Sequence, residues 1–222
     1  MRITICIAIL LFFGCINSET KQLPVPTTDV FKVSIPNDTG VNYFPEDLYF
    51  GSGKNKISTD SFVRRWYSNM LYNFREPVLY NYTGKGEAIR LLLLPSFGNS
   101  IVIRLNRMND TVYANIKELT MESYENEIPK VKADTVIMIE SRRWQEVLSK
   151  LEEHKFWSAG VADTSSPTAK DGTSWLLECR IKDKYHCIER WDSGDLISGE
   201  VNLYAKDLID IGKTIVSMED KK

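Results

Sequence analysis

DGTSWLLECRIKDKYHCIERW, residues 171–191, is the stretch on which the reading of the architecture turns. Two β-prone runs flank a polar Lys-Asp-Lys turn, and that arrangement specifies a hairpin. With Lys182, Asp183 and Lys184 as a three-residue loop, Ile181 faces Tyr185, Cys179 faces Cys187 and Trp175 faces Trp191. The opposite face of the sheet then carries Glu178, Arg180, His186 and Arg190, with Leu176 and Ile188 among them.

Two constellations follow from that register. Glu178 lies diagonal to His186 and Arg190, so a carboxylate, an imidazole and a guanidinium come within reach of one another. Such a group serves as a general base when the carboxylate orients the imidazole, or as a salt-bridged structural patch. A hydrolase also needs a nucleophile or metal and an oxyanion donor, and no residue pattern nominates one. The catalytic set is therefore empty, with Glu178, His186 and Arg190 as its weak candidates. His154 reads as a helix-end side chain. Asp60, Glu76, Glu87 and Glu118 are carboxylates that no spacing pairs. The second constellation is Cys179 opposite Cys187, which is either a disulfide or two small half-buried hydrophobes. A turn shifted by one residue forbids the bond. Two thiols and His186, on opposite faces, lack a fourth ligand for a metal, and no cofactor motif appears.

The chain start gives the location. Met1 and Arg2 are followed by an apolar run over 3–13, too short to cross a bilayer and of the length of an export signal. The run closes on Leu11-Phe12-Phe13-Gly14-Cys15. This resembles the lipobox of bacterial lipoproteins, where cleavage precedes a cysteine that receives the lipid; Phe12 is bulkier than the usual residue there. The resemblance implies a signal peptide over 1–14, lipidation at Cys15 and a stable membrane anchor of several acyl chains. The alternative is an ordinary secretory signal. Residues 15–40, polar and proline-bearing, read as a tether, and 41–222 as a single domain.

Composition narrows the class further. The 222 residues are 43% hydrophobic and 26% charged, which fits a packed globular domain. Net charge is −2, from 28 basic and 30 acidic residues, and no basic stripe accompanies the aromatics, so nucleic acid is not an expected partner. Ten tyrosines, nine phenylalanines and five tryptophans suit a β-containing core or a contact surface.

Along the chain, the glycine-rich loop in 46–56 lacks phosphate-cradle spacing. Phe62, Trp66, Met70 and Phe74 recur every four residues on a helix begun at Thr59 or Asp60 and stopped by Pro77; the stripe reads as core-facing. A meander follows: 78–82, a Gly84-Lys85-Gly86 turn, the apolar run 88–94, then 101–107 and 111–119 across the Asn109-Asp110 turn. Residues 120–132 read as loop and 135–139 as a short strand. Ser141 can cap an amphipathic helix carrying Trp144, Val147, Leu148 and Leu151. After the hairpin, Val201, Tyr204, Leu208, Ile211, Ile215 and Met218 mark a last helix. The fold class is α+β: an antiparallel meander sheet of about five to six strands, with two or three amphipathic helices packed on one face.

The block Asp171-Gly172, Trp175, Leu177-Glu178, Tyr185-His186, Ile188, Arg190-Trp191 resembles one found in uncharacterised exported bacterial proteins, many of them lipoproteins. The segment 76–87 and the helix ending at Phe156-Trp157 are similar too. That family implies an envelope location and this fold, and no activity. The expectation is a lipid-anchored protein of the bacterial envelope, periplasmic or on the outer-membrane face. It acts as a non-catalytic module for a protein partner, an immunity or inhibitor protein being one version. The alternative is a cell-envelope hydrolase or glycan-fragment-binding protein using the Glu178/His186/Arg190 face.

Overall fold

The computed structural model describes residues 33–50, 56–82, 86–120, 131–162 and 171–192. The signal peptide, Cys15, most of the tether and the helix expected at 201–218 lie outside the described residues. The elements run α1 (Lys56–Asn73), β1 (Glu87–Pro95), β2 (Ser100–Met108), β3 (Thr111–Leu119), β4 (Val131–Ile139), α2 (Ser141–Glu153), a 3-10 turn (Phe156–Ser158), β5 (Thr173–Ile181) and β6 (Lys184–Asp192).

All six strands form one antiparallel sheet in the order β4-β3-β2-β1-β5-β6. Strands β1 to β4 are the expected meander. Helix α2 then carries the chain back across the sheet, so that β5 pairs with β1 and β1 becomes central. Residues 78–82 are not a strand: Leu79 and Tyr82 instead fold onto Ala88 in a small apolar cluster with Val33. Conversely β4 begins at Val131, four residues before the expected start.

Both faces of the sheet are covered, which corrects the expectation of helices on one face. Trp144, Val147 and Leu151 of α2 and Phe156 of the 3-10 turn pack on Ile89, Leu91, Ile103, Leu105, Leu177 and Ile188. Tyr67 and Leu71 of α1, with Tyr43, Phe44 and Phe50 from the preceding segment, pack on Leu92, Val102, Leu176 and Cys187. Each such side chain, once buried, contributes roughly 1.5–3 kcal/mol. Helix α2 starts at Ser141, whose hydroxyl bonds the carbonyl of Asp110 at 2.6 Å; the N-cap position belongs to Glu140, whose side chain makes no cap bond.

The end of α1 places the residue that matters most. The amide of Glu76 donates to the carbonyl of Leu71 and that of Arg75 to Tyr72. That pair of bonds is a Schellman stop, with Arg75 in the left-handed region at φ 54°. Arg75 takes the place usually held by glycine and lies 4.6 Å from the ring of Tyr72. The reversal drops Glu76 off the helix and under it, onto the sheet.

The hairpin register differs by one residue from the expected one. Lys182 and Asp183 make a two-residue turn, with Lys182 at φ 55°, and Ile181 pairs with Lys184. Cys179 therefore faces His186, and Cys187 faces Glu178.

Candidate functional site

One slip of register redistributes every hairpin candidate. Glu178 shares its face with Tyr185, Cys187 and Glu189, while His186 and Arg190 stand on the other. The expected Glu178/His186/Arg190 group does not form. The Nε2 of His186 lies 3.0 Å from the carbonyl of Ala159, and its ring meets Phe156 edge-on at 5.1 Å. Burial lowers its pKa, against the hydrogen bond to Ala159 and with the help of Arg190. Arg190 donates to the carbonyls of Gly160 and Val161 at 3.1 and 3.3 Å. Both side chains thus stitch the segment after α2 to β6. Cys179 and Cys187 are free thiols buried on opposite faces, which corrects the disulfide expectation. Burial raises both thiol pKa values well above the ordinary range, so neither is a nucleophile at neutral pH.

Glu178 instead belongs to a fully buried ionic network between α1 and the sheet. Its Oε2 accepts from Nε and Nη2 of Arg90 at 2.8 and 2.6 Å, and its Oε1 accepts from the Tyr185 hydroxyl at 2.8 Å. Arg90 continues through Nη1 to the carbonyl of Pro77 at 2.6 Å and lies 3.5 Å from Glu76. Glu76 is the hub: Arg104 reaches its Oε2 at 2.7 Å and Lys117 its Oε1 at 2.8 Å. Lys117 also donates to the carbonyls of Phe74 and Arg75, each at 2.9 Å, at the negative end of the α1 dipole. Tyr43 closes the top, its hydroxyl bonded to the Glu76 carbonyl at 2.9 Å and its ring 5.9 Å from Arg90.

The register explains how the strands supply these groups. Arg90 pairs with Arg104 on one side and Glu178 on the other, in one row across three strands. Two arginines side by side repel, and the carboxylate of Glu76, delivered from above, separates them. Burial opposes ionisation of Glu76, but Arg104, Lys117 and Arg90 together hold its carboxyl at about 2. Burial outweighs Arg90 at Glu178 and moves that carboxyl upward. Three cations against two carboxylates leave a surplus positive charge, offset by the carbonyls at the end of α1. An assembly this enclosed binds the sheet to its cover; it offers no solvent-reachable reacting group. Among the described residues no group of three or more His, Cys, Asp or Glu side chains is placed to hold a metal ion.

Outward chemistry lies at two other places. Tyr67 of α1 bonds Glu189 on β6 at 3.2 Å, and the helix ends over Lys117 on β3. Helix α1 thus crosses the sheet from β6 to β3 and stops short of β4. On β4, Val136 pairs with Asn115 and Met138 with Tyr113, on the face that α1 covers elsewhere. There Val136 is 38% and Met138 73% exposed, on a strand that ends the sheet. The second place is α1 itself. Phe62 and Trp66, read as core-facing, are 71% and 38% exposed, whereas Tyr67, Leu71 and Phe74 are buried. A spacing of four advances about 40° per step around a helix of 3.6 residues per turn, so the stripe winds off the core. Of its later members, Met70 packs half-buried against the core and Phe74 is fully buried in it.

No protein-family model matches the chain, and no characterised protein matches it. Among the described residues no helix is long and apolar enough to cross a membrane.

Proposed function

We propose that the protein is an exported, lipid-anchored module of the bacterial envelope that binds a protein partner and carries out no reaction of its own. The observation that supports this most directly is the open outer strand. Among the described residues no strand pairs with the outer side of β4, and the strand exposes the apolar side chains of Val136 and Met138. Edge strands of that kind invite pairing with a strand from another chain, and natural proteins usually blunt them. Here Lys132 and Asp134 supply charge near its start, but 135–139 (TVIMI) has none. The partner would add a strand along β4 and cover Met138. The burial of Glu76, Arg90, Arg104, Lys117 and Glu178 agrees with a rigid scaffold behind that strand.

Export and anchoring rest on the apolar run 3–13 and on Gly14-Cys15, and an immunity or inhibitor role is one form the binding would take. A photo-crosslinking residue placed at 138 in the full chain, activated in intact cells, tests the surface. One discrete protein adduct supports the reading; adducts spread over many proteins, or none, count against it.

A further inference from the structure

The outward face of α1 carries a second signal, independent of β4. Phe62 and Trp66 lie one turn apart, and Arg65 between them is exposed. The segment 45–50, with Glu46, Asp47 and Tyr49 exposed, is fixed to a different side of the helix. Asp60 accepts from the amide of Phe50 at 2.6 Å, and Arg64 donates to the carbonyls of Pro45 and Leu48. Asp60 and Arg64 also pair with each other at 3.1 Å, which leaves Arg65 as the charge that faces out beside the aromatics. Phenylalanine, tryptophan and a cation on one side of a helix are side chains that settle at a bilayer interface: the rings at headgroup depth, the guanidinium against phosphate.

We infer that this face of α1 rests on the surface of the membrane that holds the anchor, with anionic phospholipid headgroups around Arg65. The inference rests on the lipid-anchored reading of Cys15. The length of chain favours a bilayer over a second protein as occupant. Residues 16–32 separate Cys15 from the first described residue, and such a stretch spans at most about 60 Å. The domain is therefore confined close to the bilayer at an effective concentration in the millimolar range. Two aromatic rings bind an interface weakly when free in solution; held at that concentration, the same contact is occupied most of the time.

The test uses the full, lipidated chain reconstituted into phosphatidylethanolamine–phosphatidylglycerol vesicles whose acyl chains carry bromine, a short-range quencher of tryptophan. The expected result is a quenched component of the emission that Trp66→Phe removes and that Phe62→Ser reduces with Trp66 still present. Two outcomes overturn the inference in distinguishable ways. A chain that floats with the vesicles, yet whose Trp66 emission is unquenched, keeps its anchor and does not dock by α1. A chain that stays in the aqueous phase whether Cys15 is present or replaced (Cys15→Ser) lacks the anchor, and the docking falls with it. A protein that co-floats and shields Trp66 from the quencher would assign the face to that protein and equally contradict docking on lipid.

Discussion

Glu76 shows most clearly how one side chain sets the behaviour of this fold. Among the described residues its carboxylate is the one shared by Arg90, Arg104 and Lys117, and all four groups are buried. Glu76→Gln keeps the shape and removes the charge, leaving three cations with Glu178 alone; the expected loss is about 3–5 kcal/mol, read by chemical denaturation. The pH dependence follows from the same contacts. The folded Glu76 carboxyl sits at about 2, below its ordinary 4.5, so its stabilisation is complete above the unfolded value. That stabilisation is lost as pH falls from about 4.5 through about 2, an acid arm that Glu76→Gln should flatten. Glu178 runs the other way: its pKa is raised by burial, so it favours folding at low pH and costs stability once pH exceeds the ordinary carboxylate range. An acid arm unchanged in the variant would refute the assignment of Glu76 as hub. Some of this was visible in the sequence. A single charge in the middle of each apolar strand — Arg90, Arg104, Glu178 — implies partners across the sheet. What spacing could not show is that Glu76, after a helix stop, comes down between them.

At the scale of elements, which segments are strands was legible far better than how they align. EAIRLLLLP, SIVIRLNRM and the hairpin runs are all strands, as expected. The hairpin register slipped because β5 and β6 are apolar on both faces, so alternation offers no preference and the turn alone decides. The consequence is checkable: in the mature chain, Cys179 and Cys187 should both alkylate upon denaturation without any reductant, and a species lighter by two hydrogens would contradict the register. The same logic explains α1, where four-residue spacing suggested a core stripe that the helix pitch carries into solvent. Turn chemistry was legible at Gly86, expected in a turn and found at φ 114°, where an added Cβ would lie 2.3 Å from the Arg107 carbonyl. Gly86→Ala should therefore cost about 2 kcal/mol or more, because both the backbone conformation and the clash oppose it. A melting temperature equal to that of the parent would show that the entry into β1 relaxes freely.

For the molecule as a whole, apolar clusters lie on both faces of the described sheet, and the proposed partner would take its outer strand β4. The composition hinted at a binding surface through its aromatics; the fold divides them between buried ones, such as Tyr43, Phe44, Phe50, Tyr67 and Phe74, and the exposed Tyr49, Phe62, Trp66 and Phe97. Which aromatics fall in which group depends on long-range packing, and local pattern does not carry that information. Val136 and Met138 gave no sequence signal at all, since β-prone apolar residues usually mark a core. Met138→Lys should leave the fold within about 0.5 kcal/mol of the parent, being exposed, while abolishing partner capture.

The most direct measurement is capture of the full-length, affinity-tagged protein from its own solubilised envelope, beside the Met138→Lys variant. The account predicts one protein at near-equal stoichiometry with the parent and its absence from the variant. No protein partner, together with a cell-wall or sugar fragment that raises the melting temperature of parent and variant alike, would contradict it.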